Sequence, residues 1–301
     1  MSEQGAVVRP HILSLHPTMQ CDYGCNNCYL KKDIDSNTQE KPPTFFMELL
    51  NQAKLAGIQE IALPINYVNY KKRNTSVQLD SFNEHDWANC DKNLHYFKWV
   101  ANFCLKESIR LTATCNYDFF EHYSQLELKP LELVSISIND FVTPTDEKIS
   151  KALNIMSDLK SSVQTVNCNI LLSDRMVRLL KNGLSEKILS VADSMYLLAS
   201  KPLQVSSRVY YGWYTELNDA GILVDSEKII VDSCMRYSLG LTGTMCDRHK
   251  MVYVNPYGEI KMCSFDSRNL AIIDKPQDFK NIFERYFPMQ RQKTCNLVNV
   301  E

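Results

Sequence analysis

The chain has 301 residues, 45% apolar and 23% charged, an ordinary globular composition that excludes wholesale disorder. At about 150 residues per domain the length suits two domains, and a single α/β barrel of similar size is equally allowed. Lys and Arg number 33 against 35 Asp and Glu, so the net charge of −2 gives no reason to expect a nucleic-acid or anionic-membrane partner. No run of about 18 apolar residues predicts a transmembrane helix, and residues 1–10 lack the pattern of a secretory signal. The expectation is a cytoplasmic protein in a reducing compartment. Eleven cysteines there point to metal or redox chemistry rather than to disulfides.

In chain order, β-like runs alternate with helix-like stretches. The runs are His11–His16, Glu60–Pro64, Ile109–Thr114, Leu133–Ile138, Val166–Leu172 and Ser194–Leu198, nearly continuous in apolar character. Helices are predicted over Thr44–Ala56, stopped by Gly57, and over His85–Lys106, with apolar residues near a 3.6 period. Two more are predicted over Thr145–Leu159, capped by Thr145, and over Arg175–Ala192. Strand–helix alternation predicts an α/β fold with a right-handed parallel sheet, a partial (β/α)6 barrel of the TIM type. In such sheets the chemistry sits at the carboxyl ends of the strands. Composition changes near residue 205, so 1–204 reads as the barrel and 205–301 as a C-terminal region. That region contains a hairpin pattern, Met251 to Cys263, turning at Asn255–Gly258.

The strongest signal is Cys21-Asp-Tyr-Gly-Cys25-Asn-Asn-Cys28-Tyr29, on the loop after the first strand. Three thiolates in eight residues can wrap one soft-metal centre, and a four-iron cluster held by three would keep one iron open. Gly24 gives the loop backbone freedom. The alternative is a structural zinc site, which usually shows paired Cys-x2-Cys units, and only one such pair stands here. That alternative predicts a non-catalytic, metal-stabilised binding protein.

Cys-x3-Cys-x2-Cys followed by an aromatic, after strand one of a strand–helix repeat, resembles the radical S-adenosylmethionine (SAM) superfamily. The resemblance covers about residues 10–200. It implies a [4Fe–4S] cluster on Cys21, Cys25 and Cys28 whose open iron binds SAM, and a one-electron reductant such as flavodoxin or ferredoxin. It implies cleavage of SAM to a 5′-deoxyadenosyl radical that abstracts a substrate hydrogen. Tyr29 matches the aromatic packed near the adenine. The family's Gly-Gly-Glu-Pro stretch after strand two is missing, and Leu63-Pro64-Ile65-Asn66-Tyr67 stands in its place. Asn66 is then the candidate for the SAM amino group, and Ser137, Asn139 and Asn169 are candidates for its ribose and carboxylate.

In the C-terminal region, Cys246-x11-Gly258-x4-Cys263 flanks the predicted hairpin, whose returning ends can bring two cysteines to one metal. This resembles the auxiliary-cluster domains called SPASM and twitch. The sparse cysteines after it favour the shorter twitch type, with a second [4Fe–4S] cluster on Cys246, Cys263 and Cys295. Cys234 has two readings, a fourth ligand or a thiol that returns a hydrogen atom to a substrate radical. Asp232 reads as a general base or as a cap. Family analogy gives a ribosomally made peptide as the expected substrate, modified by oxidation, cross-linking or epimerisation, with a sugar-like or amino-acid-like small molecule as the alternative. Cys90, Cys104, Cys115 and Cys168 fall on helix or strand patterns and read as core.

Overall fold

A computed structural model of the chain describes residues 10–23, 25, 28, 38–66, 90–122, 128, 130–199, 207–223, 227–239, 250–264 and 269–286. The order opens with β1 (Ile12–Leu15), α1 (Pro43–Leu55), β2 (Glu60–Pro64), α2 (Lys92–Glu107) and β3 (Arg110–Cys115). It continues through α3 (Tyr117–His122), β4 (Leu131–Ile138), α4 (Asp146–Leu159), β5 (Thr165–Leu171), α5 (Asp174–Leu179), α6 (Ser185–Val191) and β6 (Ser194–Leu198). The remainder is α7 (Ser207–Asp219), β7 (Ile229–Val231), α8 (Ser233–Ser238), β8 (Met251–Val254), β9 (Glu259–Lys261), β10 (Ala271–Ile272) and α9 (Asp278–Tyr286).

Local chemistry starts and stops the helices. Pro43 opens α1 with its φ already helical, and Gly57 follows its end at φ +88°. The Asp91 carboxylate accepts the Leu94 N–H at 3.0 Å and caps α2. Thr145 and Ser173 cap α4 and α5 in the same way. The periodic stretch 175–192 is not one helix. Asn182 and Gly183 leave helical backbone, Gly183 at φ +93°, and break it between α5 and α6.

One sheet gathers the ten strands of the described residues in the order β10-β9-β8-β1-β2-β3-β4-β5-β6-β7. From β8 through β1 to β7 every pairing is parallel, so these strands share one carboxyl edge. The six expected barrel strands run in sequential order as an open, partial barrel, and no pairing among the described residues closes it. The predicted hairpin is β8–β9. It lies beside β1 in this same sheet, and β7 extends the other end beside β6.

Register separates the faces. Leu13, Ile61 and Leu111 form one row across β1–β3, and Cys115, Ile136, Cys168 and Met195 form another across β3–β6. All are buried, and burial of each large aliphatic is worth about 1.5–3 kcal/mol. Cys90, Cys104, Cys115 and Cys168 belong to this interior, and burial pushes the Cys104 thiol up to about 12. The opposite rows are more polar and partly exposed: Ser14, Ala62 and Thr112 in one, Ser137, Asn169 and Tyr196 in another. This is the face an open barrel leaves for a ligand.

Gly258 holds the β8–β9 turn at φ +80°, and an added Cβ would lie 2.7 Å from the Ile273 carbonyl oxygen. Gly258→Ala is expected to lose on the order of 1–3 kcal/mol, read as a lower midpoint in urea unfolding. An unchanged midpoint would show that the turn relaxes freely.

Candidate functional site

Cys21, Cys25 and Cys28 follow β1 at the carboxyl edge, each half-buried. The Cys28 N–H donates to the Cys25 carbonyl at 3.2 Å, which closes a turn between them. Burial pushes the Cys25 thiol up to about 11, and its neighbours Cys21 and Cys28 push it further in the same direction. Two neighbouring thiols that raise the proton affinity of Cys25 make with it a donor set that a cationic centre would relieve, since metal replaces the proton. The residues therefore fit an iron–sulfur cluster with three protein ligands. No group of three His, Cys, Asp or Glu side chains among the described residues is drawn tightly enough to hold a bare ion.

The cysteine segment is held from several sides. The Glu40 carboxylate accepts from Thr18 Oγ1 at 2.9 Å, the Met19 N–H at 2.7 Å and Lys92 Nζ at 2.7 Å. Hydrogen bonds to a charged, part-buried group are worth about 1.5–3 kcal/mol each, so Glu40 outweighs an exposed pair such as Lys280 with Glu284. Gln20 accepts the Lys92 N–H at 2.9 Å and donates to the Cys90 carbonyl at 3.1 Å, and its own carbonyl accepts from Asn93 Nδ2 at 3.0 Å. Tyr23 Oη donates to Asp118 at 2.7 Å. The Lys41 N–H donates to the Pro256 carbonyl at 2.8 Å, which ties the far end of the segment to the hairpin turn.

Beside this segment lies a buried polar chain. His16, fully buried at the end of β1, meets Tyr253 Oη at 3.2 Å through Nδ1 and Asn66 Nδ2 at 3.0 Å through Nε2. The Asn66 N–H in turn donates to Asn93 Oδ1 at 3.2 Å. Burial lowers the His16 pKa to about 4, against the smaller opposing effects of Glu40 and Asn66, so the imidazole is neutral.

Of the other expected site residues, Ser137 and Asn169 are register partners on the open face. Asn139 follows β4, and its Oδ1 accepts the N–H groups of Phe141 and Val142, both at 2.9 Å, to hold the turn there. Asp232 follows β7 and donates its N–H to the Leu197 carbonyl at 2.9 Å, and Cys234 lies on α8, so both stand at the carboxyl edge. Cys263 follows β9, which runs antiparallel to β8 and carries the chain toward the amino edge. Tyr29, Cys246 and Cys295 lie outside the described residues. Cys21, Cys25, Cys28 and Asn66 thus follow the adjacent strands β1 and β2 in the middle of the strand order, whereas Asp232 and Cys234 stand at its β7 end. His16, Gln20, Glu40, Lys92, Asn93 and Tyr253 carry no motif. The one sequence signal among them is His16, a polar residue directly after an apolar strand.

No protein-family model matches the chain, and no curated protein matches it. Solved structures do. SuiB of Streptococcus suis bound to precursor peptide SuiA is 12% identical, over 97% of this chain and 71% of that one, with a TM-score of 0.54. SuiB bound to S-adenosylmethionine is 13% identical, over 97% and 70%, with a TM-score of 0.54. The structure of anSMEcpe with bound AdoMet is 12% identical, over 91% and 80%, with a TM-score of 0.57. At these identities the likeness establishes the fold. No helix among the described residues is long and apolar enough to cross a membrane.

The folded His16 binds its proton only near pH 4, whereas an unfolded histidine binds it near pH 6.5. Its contribution is therefore complete above about pH 6.5 and is lost as the pH falls toward 4, a change on the order of 3 kcal/mol. His16→Gln should flatten the acid limb of a stability–pH curve relative to the wild type. Parallel curves would mean that His16 takes a proton freely in the fold.

Proposed function

We propose that the chain is a radical SAM enzyme with its catalytic [4Fe–4S] cluster on Cys21, Cys25 and Cys28. The observation that carries the reading is the gathering of these three thiols on the first loop at the carboxyl edge of a partial barrel. The fold neighbours SuiB and anSMEcpe, both solved with S-adenosylmethionine bound, support it. The cluster and SAM would supply a 5′-deoxyadenosyl radical able to abstract hydrogen from an unactivated carbon.

The chain's own residues would do the rest. Tyr29 packs the adenine, Asn66 takes the amino group, Ser137 and Asn169 meet the ribose or carboxylate from the open face, and Asn139 shapes the turn above them. A peptide is the favoured substrate. SuiB solved with its precursor peptide supports this class over a small metabolite. Cys246, Cys263 and Cys295 are assigned to an auxiliary [4Fe–4S] cluster of the twitch type. A flavodoxin or ferredoxin would deliver the electron, and the setting is cytoplasmic.

Cys234 fits the hydrogen-donor reading better than the ligand reading, because it stands at the carboxyl edge while β9 leads Cys263 the other way. In that step the S–H bond breaks homolytically and a C–H bond forms on the substrate radical. The thiyl sulfur then regains one electron from the reductant and one proton, for which Asp232 is the nearby carrier.

Anaerobic loading with iron and sulfide is expected to give about eight of each per chain, and dithionite with SAM to give 5′-deoxyadenosine. Alanine at Cys21, Cys25 or Cys28 should remove about four irons and all SAM cleavage. Alanine at Cys246, Cys263 or Cys295 should remove the other four. Cys234→Ala should keep the full iron count and stall the product. Zinc in place of iron, or an iron-replete protein that leaves SAM intact, would contradict the reading.

A further inference from the structure

We propose that Tyr253, on the C-terminal hairpin, is a positioning residue that fixes through His16 which atom of Asn66 faces the cofactor site. The inference rests on the SAM-binding reading above and adds to it a residue 237 positions from His16 in sequence.

A neutral imidazole carries one N–H and one lone pair. Asn66 Nδ2 lies on Nε2 at 3.0 Å and donates to it, so Nε2 is the acceptor and Nδ1 holds the hydrogen. That hydrogen points at Tyr253 Oη, 3.2 Å away, where both groups are buried. The edge-on approach of the two rings, 6.4 Å between centroids at 68°, keeps the hydroxyl in the imidazole's reach. The backbone of Asn66 is fixed separately by Asn93. With Nδ2 turned inward to His16, Oδ1 is left outward and has no protein partner among the described residues. The group presented is thus a pure acceptor, suited to an N–H donor such as an ammonium.

Removing the hydroxyl reverses the logic. In Tyr253→Phe a hydrogen on Nδ1 would be a buried donor with nothing to meet, and an unmade buried donor is costly. The hydrogen moves to Nε2, the Asn66 amide turns to place Oδ1 on it, and NH2 replaces the oxygen on the open side. An ammonium then meets two donors. An aspartate at position 66 has acceptors on both sides, so it is indifferent to this reversal.

Three measurements on the iron-loaded, full-length protein test the relay. Nitrogen NMR of histidine-labelled protein should show His16 with its hydrogen on Nδ1, and on Nε2 in Tyr253→Phe. Equilibrium binding of SAM should weaken about tenfold in Tyr253→Phe at unchanged iron content. The weakening should disappear for a SAM analogue lacking the α-amino group, and Asn66→Asp in the Tyr253→Phe background should restore the affinity for SAM. An unchanged tautomer, equal weakening for both ligands, or loss of iron in Tyr253→Phe would overturn the proposal. Should the wild type bind no SAM, the enzyme reading fails, and the tautomer measurement alone still decides the relay.

Discussion

Strand β1 is paired in parallel on both sides, to β2 and to β8, and the candidate site depends on that double pairing. A strand bonded along both edges cannot tilt, so the segment leaving it starts from a fixed point. His16 donates its N–H to the Val254 carbonyl at 2.9 Å and extends the β8 pairing one residue past the strand. The cysteine segment therefore begins against the hairpin, and Lys41 returns to the same hairpin turn at Pro256. Between these two points Glu40 and Gln20 tie it to the start of α2, and Tyr23 ties it to α3. The described residues on both sides of the cysteines are thus tied to the sheet and to two helices.

The electrostatics of that frame fit a cationic guest. Burial and the neighbouring Cys21 and Cys28 favour the protonated form of Cys25, and a metal centre reverses that preference. His16 is neutral, so it adds no positive charge beside them. The cation of Lys92 is taken up by Glu40 at 2.7 Å. The open face of the barrel offers hydroxyl and amide groups at Ser137 and Asn169, which can orient a polar ligand without committing charge to it.

Much of this was legible in the sequence, and what was missed has physical reasons. Apolar runs with turn residues between them are strong local signals, so β2 and β6 stand at the expected residues, and the turn Asn255–Gly258 joins two strands as expected. The cap residue Thr145 located the start of α4. The break at Gly183 was hidden because the apolar period continues across it. The short strands β7 and β10 carry too few residues to show a pattern, and the docking of the hairpin against β1 is a long-range pairing that no local motif encodes. The cysteine spacing marked the site, but its support did not. Glu40, Gln20 and Tyr253 act only through partners distant in sequence, and each alone reads as an ordinary surface or strand residue.

The central claim is that Cys21, Cys25 and Cys28 hold a cluster with one iron open to SAM. Electron paramagnetic resonance of the dithionite-reduced protein tests it most directly, in a variant with alanine at Cys246, Cys263 and Cys295 so that one cluster remains. The expected result is a reduced [4Fe–4S] signal that shifts on addition of SAM, with hyperfine coupling to nitrogen-15 when the SAM amino group carries that label. A signal indifferent to SAM, or a protein that takes up no iron at these three cysteines, would contradict it.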